Sequence, residues 1–219
     1  MIDASDSYCY RTSMAIVWYS SCKQSGQVSS LKGALLTKRS QREMTLTLDC
    51  ISHSPAQTQR LGMRLGDLLQ GGELILLDGQ LGTGKTTFTQ GLAQGLGITE
   101  NINSPTFTLL KEYTNRPQPG ISTGASSYRK LALYHFDLYR LDNPDEMVDL
   151  GFDDYFFSDG VSVIEWAEKA DAFWPEEHLN VRLKIMSETK RGLLFIAAGE
   201  RYCELVRQFQ KNAYVTTGS

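Results

Sequence analysis

The sequence is poor in the side chains that build metal cages and redox centres. Its 219 residues include four cysteines and three histidines. Cys9, Cys22, Cys50 and Cys203 contain no C-x-x-C pair, so neither a zinc site nor a dithiol motif is indicated, and reduced thiols are expected. His53, His135 and His178 are scattered, which predicts ordinary structural roles rather than metal ligation. No apolar run approaches the roughly 20 residues of a membrane span. The run "MAIVWY" is also too short for the centre of a secretory signal, and Asp3 and Asp6 precede it. A soluble, cytoplasmic protein is expected. No internal repeat is visible. The net charge of −3 has the wrong sign for a protein that coats nucleic acid. The guanine-reading N-K-x-D, the switch motif D-x-x-G and the S-G-G of transporter ATPases are all missing, which disfavours Ras-like GTPases and transporters.

What is present is globular: 41% hydrophobic and 21% charged residues, enough to bury a core. The first 43 residues stand apart. Residues 20–42, "SSCKQSGQVSSLKGALLTKRSQR", are rich in serine and basic side chains and hold no acid. A dispensable, unstructured extension is expected over 1–43, either a targeting segment or residues ahead of a true start at Met44. Residues 44–219 then form a single domain with sixteen basic and twenty-two acidic side chains.

From there the chain alternates between strand and helix patterns. "TLTLDCI" has the two-residue period of a half-buried strand, and "ELILLD" is a short apolar run of the fully buried kind. "QTQRLGMRLGDLLQ" and "KTTFTQGLAQGLG" carry leucines and Phe88 at helical spacing. "PTFTLLKEY", "LALYHFD" and "VSVIE" predict further strands. "NPDEMVDLGF" predicts a helix with Asn143 as cap and Pro144 in its first turn. "HLNVRLKIM" and "LLFIAA" predict a late strand pair, and residues 200–210 a closing helix. Residues 114–130 are loop chemistry throughout. The alternation predicts an α/β fold, a three-layer sandwich of the P-loop NTPase kind around a central mixed, largely parallel sheet.

The strongest motif is "GQLGTGKT", residues 79–86, which fits G-x-x-x-x-G-K-[ST] between a buried strand and an amphipathic helix. Glycines let the backbone turn its amides inward around an anion, and the helix start adds partial positive charge. Lys85 can reach the β- and γ-phosphates, and the Thr86 hydroxyl can ligate Mg²⁺. Two acids end apolar strands where such a site needs carboxylates: Asp137 and Glu165. In "NSPTFTL", Ser104 and Thr106 bracket Pro105, where hydroxyls either contact a γ-phosphate or hold a turn. These residues leave two readings open: an ATPase, or a small-molecule kinase built on the same loop.

"GQLGTGKTTFTQGLAQGLG", "NSPTFTLLKEY", "YHFDLYRL", "DLGFDDYF" and "VIEWAEK" occur in this order and together resemble the TsaE (YjeE) family over about residues 46–198. The resemblance implies an ATPase that serves the threonylcarbamoylation of tRNA beside the anticodon, working with TsaB and TsaD without performing the transfer. By the same resemblance Gly79, Gln80, Leu81, Gly82, Thr83, Gly84, Lys85, Thr86 and Thr87 hold the phosphates of ATP. Thr86 and Glu165 ligate Mg²⁺, and Asp137 serves hydrolysis. Ser104 and Thr106 form a switch-like segment, Trp166 matters for activity or docking, and Arg191 lies near the nucleotide. The chain departs from the family pattern in its basic extension, in its long 114–130 loop and in Gln80, where an acid often stands.

Between Asp137 and Glu177 thirteen acids face two basic residues, Arg140 and Lys169. Such a run repels a phosphate backbone and suits a basic protein surface, so contact with tRNA is expected only through the partners.

Overall fold

The computed structural model describes residues 44–114, 131–143, 146–149 and 151–214. The expected extension over 1–43 and most of the 114–130 loop lie outside the described residues.

Seven strands form one sheet: β1 (Thr45–Ser52), β2 (Leu74–Asp78), β3 (Leu110–Tyr113), β4 (Leu133–Asp137), β5 (Val161–Glu165), β6 (His178–Ile185) and β7 (Arg191–Ala198). Their spatial order is β1-β7-β6-β2-β5-β4-β3. The central pairings, β6–β2, β2–β5 and β5–β4, are parallel; the flanking ones are antiparallel. Parallel pairing through the middle brings the C-terminal ends of β2, β4 and β5 to one edge, where α/β sheets place their ligands.

β2 explains the layering. Leu74, Leu76 and Leu77 have 3% exposure or less and Ile75 has none, because both faces of this strand are covered. Ile75 and Leu77 join a large aliphatic core with Leu61, Leu65, Phe88, Leu92, Val206 and Phe209. These residues come from α1 (Pro55–Gly66), α2 (Lys85–Gly95) and α5 (Glu200–Tyr214). Leu74 and Leu76 join a smaller, aromatic-rich core with Phe136, Met147, Phe152 and Phe156. Its cover is lighter: α3 (Glu146–Asp149), α4 (Phe152–Phe156) and a 3₁₀ segment, Ala167–Phe173. Each fully buried leucine or phenylalanine contributes roughly 1.5–3 kcal/mol, so the first core is the main anchor.

Ser54 caps α1, its hydroxyl accepting the Gln57 amide at 3.2 Å, and Pro55 sits where its missing N–H costs nothing. α1 and α2 meet along a glycine seam. A Cβ added at Gly62 would lie 2.1 Å from the Phe88 carbonyl oxygen, at Gly66 2.3 Å from that of Leu92, at Gly91 1.8 Å from that of Gln59, and at Gly95 2.2 Å from that of Met63. No side chain fits between these backbones.

Two expected elements differ. The strand predicted over "PTFTLLKEY" begins only at Leu110, because the Thr108 and Leu109 amides both donate to the Pro105 carbonyl, at 3.0 and 2.8 Å, and close a turn. The helix predicted over "NPDEMVDLGF" gives the short α3; Gly151 (φ 65°) precedes α4.

Candidate nucleotide site

The 79–84 loop leaves β2 and runs into α2. Gly79, Gly82 and Gly84 have φ of 140°, 79° and 101°, which glycine adopts without a Cβ penalty. At Gly79 a side chain is excluded twice over, since a Cβ would also lie 2.3 Å from the Leu183 carbonyl oxygen. Thr83 tightens the loop by donating its hydroxyl to the Gln80 carbonyl at 2.8 Å. Gln80 and Leu81 are exposed at the tip, and Thr87 is half-buried on the first turn of α2.

Lys85 is buried at the foot of the loop. Its ammonium donates to the carbonyls of Gly79 and Gln80 and lies 3.7 Å from the centre of the Trp166 ring. Burial pushes this ammonium below its ordinary value, against the opposing pull of Glu165, Glu168, Asp137 and Asp78. A cation so placed, facing carbonyls and a π-face, is fixed in direction and is complementary to an anion at the loop.

Across the edge, Asp137 and Glu165 end β4 and β5 in register with one another. Thr86 donates its hydroxyl to Glu165 Oε2 at 3.0 Å, joining α2 to β5 over 79 residues of chain. The other oxygen, Oε1, lies 2.9 Å from His135 Nε2. Asp137 is engaged differently. Its Oδ2 accepts from the Ser104 hydroxyl and, at 2.8 Å, from Thr106, while its Oδ1 accepts the Tyr139 amide at 2.9 Å. Ser104 and Thr106 thus turn toward a carboxylate, and the bend at Pro105 is held from the β4 end.

Trp166 follows Glu165 in left-handed backbone, φ 62°. Its amide donates to the Leu77 carbonyl at 3.0 Å and its ring meets Tyr139 at 5.0 Å. Arg191 reaches the loop from the start of β7, donating to the Gly82 carbonyl at 3.3 Å, and its remaining recorded bonds go to carbonyls of Ser187, Glu188 and Lys190. In this structure it braces the loop.

The predicted residues therefore assemble at one sheet edge, though Asp137 and Glu165 serve separate hydrogen-bond sets. Three residues near them are given no part in the site by the sequence reading, His135 being assigned an ordinary structural role. His135 bonds Glu165; its position two before Asp137 on one strand, hence on one face, was the available signal. Asp78, before the loop, accepts from Asn180 Nδ2 at 2.7 Å and lies 3.6 Å from Arg182 Nε. Burial pushes the Glu168 carboxyl up, and neighbouring Asp78 adds to the effect. Asp78 abuts the loop in the sequence, whereas nothing there ties Glu168 to it.

The donor set fits magnesium. Thr86 and Glu165 offer one hydroxyl and one carboxylate oxygen side by side, 3.0 Å apart, and no cluster of three or more His, Cys, Asp or Glu ligands exists among the described residues. Mg²⁺ is held in this way, by one or two protein oxygens with phosphate and water completing its shell. No helix among the described residues is long and apolar enough to cross a membrane.

Comparison with known proteins identifies a family. Residues 52–193 match the family model described as threonylcarbamoyl adenosine biosynthesis protein TsaE. The chain is 38% identical over 159 residues to the tRNA threonylcarbamoyladenosine biosynthesis protein TsaE of Bacillus subtilis, covering 73% of this chain and 91% of the relative. It is 39% identical over 144 residues to the protein of the same description from Treponema pallidum, covering 66% of this chain and 96% of the relative. The crystal structure of Bacillus subtilis YdiB superposes with a TM-score of 0.62 at 33% identity, over 78% of this chain and 98% of that one.

Proposed function

The chain belongs to the TsaE family, and from that premise we propose that it is a Mg²⁺-dependent ATPase that supports threonylcarbamoyladenosine formation in tRNA together with TsaB and TsaD in the cytoplasm. The observation that carries this reading is the Thr86–Glu165 contact at the mouth of the glycine loop. It supplies the hydroxyl–carboxylate pair that a nucleotide-bound magnesium requires, beside a lysine held at the foot of the loop.

Each residue has a definite task in this reading. The amides of residues 79–87 cradle the phosphates, and Lys85 neutralises the charge of the terminal ones. Thr86 and Glu165 would hold Mg²⁺, which would supply neutralisation of phosphate charge. Asp137 orients the attacking water from the end of β4 and keeps Ser104 and Thr106 within reach of the γ-phosphate. Trp166 holds the Lys85 ammonium against the face of its ring. Arg191 secures Gly82. The thirteen acids of 137–177 favour a basic protein partner over tRNA itself. Residues 1–43 are dispensable for this chemistry, and 44–219 are the working domain.

A small-molecule kinase on the same loop is not favoured, since family membership points to tRNA modification. Phosphate release tests the reading. The purified chain releases inorganic phosphate from Mg·ATP slowly, and faster when TsaB and TsaD are added. A phosphorylated metabolite formed from extract, with no stimulation by the two proteins, would refute it.

A further inference from the structure

His135 has no exposed surface, so it cannot touch a nucleotide, yet it is bonded to the acid at the centre of the site. Its Nε2 lies 2.9 Å from Glu165 Oε1. The acceptor is a carboxylate, so Nε2 carries the proton and donates. Nδ1 is buried without a partner, which selects the Nε2–H tautomer, because a second N–H there would have no acceptor. We propose that His135 is the positioning residue for the magnesium-binding carboxylate: by holding Oε1 from inside the sheet, it presents Oε2 to Thr86 and the metal.

A carboxylate at a strand end can rotate about its last torsion, and, apart from the two-fold exchange of its equivalent oxygens, only one orientation of its plane directs one oxygen at Thr86 and the other at His135. Glu165 is 2% exposed, so water does little to fix that rotation. Two bonds from opposite sides do, Thr86 on Oε2 and His135 on Oε1. The alternation of β4 places His135 and Asp137 on one face, so the strand that carries one acid of the site also carries the support of the other. Loss of such a supporting hydrogen bond typically weakens metal binding by about 10- to 100-fold. This inference rests on the assignment of Glu165 to magnesium.

Two substitutions separate positioning from packing. In His135→Gln the side-chain amide stands where Nε2 was and can still donate to Oε1. In His135→Asn it stands where Nδ1 was and cannot. Both replace the ring by a buried amide; Asn is one methylene shorter, so a merely structural role shows as a difference in EDTA affinity as well as in the Mg²⁺ midpoint. The measurement is binding of a fluorescent ATP analogue to the full chain, first in EDTA and then across a Mg²⁺ titration. The expected result is unchanged EDTA affinity in both, a near-native Mg²⁺ midpoint for His135→Gln, and a midpoint raised about 10- to 100-fold for His135→Asn. Equal midpoints in the two variants overturn the inference. If the unsubstituted chain shows no Mg²⁺ dependence at all, the magnesium assignment itself fails, and the inference with it. Should His135→Asn not fold, the native chain decides through NMR. The shielded His135 Nε2–H proton moves when Mg²⁺ is added to the nucleotide complex, and a resonance that stays in place overturns the proposal.

Discussion

Two walls of the site contain left-handed backbone, and they arrive at it differently. In the glycine loop it falls on Gly79, Gly82 and Gly84, with φ between 79° and 140°. On the opposite wall it falls on Leu109 and Trp166, both at φ 62°, the two non-glycine residues with positive φ among the described ones. For glycine this conformation carries no steric penalty. For a branched or aromatic residue it costs roughly 1–2 kcal/mol, which surrounding contacts must offset. Leu109 is held by its carbonyl, which accepts the Asp137 amide at 3.0 Å, and Trp166 by its amide hydrogen bond to the Leu77 carbonyl and its ring contacts with Tyr139 and Lys85. One wall is shaped by local sequence, the other by tertiary contacts.

The sharpest way to break this picture is to remove a charge that both walls serve. Lys85→Ala and Glu165→Ala should each lower phosphate release by at least ~100-fold, as loss of a preorganised transition-state contact does, while the circular dichroism spectrum stays native. Near-native turnover in either would dissolve the site assignment. Next, the glycine loop should discriminate within itself. Gly79→Ala meets both the φ of 140° and the Leu183 carbonyl, and should cost about 3 kcal/mol, or roughly 6–12 °C in melting temperature. Gly82→Ala has open space around it and only its φ of 79° to contend with, about 1 kcal/mol or 2–4 °C. Equal losses would mean that backbone conformation alone governs the loop. The smallest effect is expected opposite. Leu109→Asn places a residue tolerant of left-handed backbone in the strained position, so thermal denaturation should show a midpoint at or up to about 3 °C above the native one. A drop of more than about 3 °C would show that Leu109 is not a strained residue.

The same contrast explains what the sequence disclosed. The loop is legible because its parts lie within eight residues and each acts locally: glycines for the turn, a lysine, a hydroxyl at the helix start. Asp137 and Glu165 are legible as acids where apolar strands stop, and parallel pairing of β4 with β5 sets them side by side. The turn at Pro105 is not legible. "TFTLL" has strand chemistry, and what bends it is the grip of Asp137 on Ser104 and Thr106 from 33 and 31 residues away. His135 escapes for a like reason, since its partner is 30 residues further on. Arg191 donates to the Gly82 carbonyl of the loop and to the carbonyls of Ser187, Glu188 and Lys190, and those three are brought to it only by the β6–β7 turn.

The close seam between α1 and α2 has a mechanical meaning. Helices that touch backbone to backbone cannot slide past or tilt against each other, so α2 and α1 behave as one stiff beam. That beam is riveted to β1 by the buried Ser52–Thr58 hydroxyl pair, 2.8 Å apart. A push delivered at Lys85 therefore finds no give behind it. In the ATPase proposed above, displacement during turnover is then expected on the far side, at the Pro105 bend and the lightly covered aromatic layer.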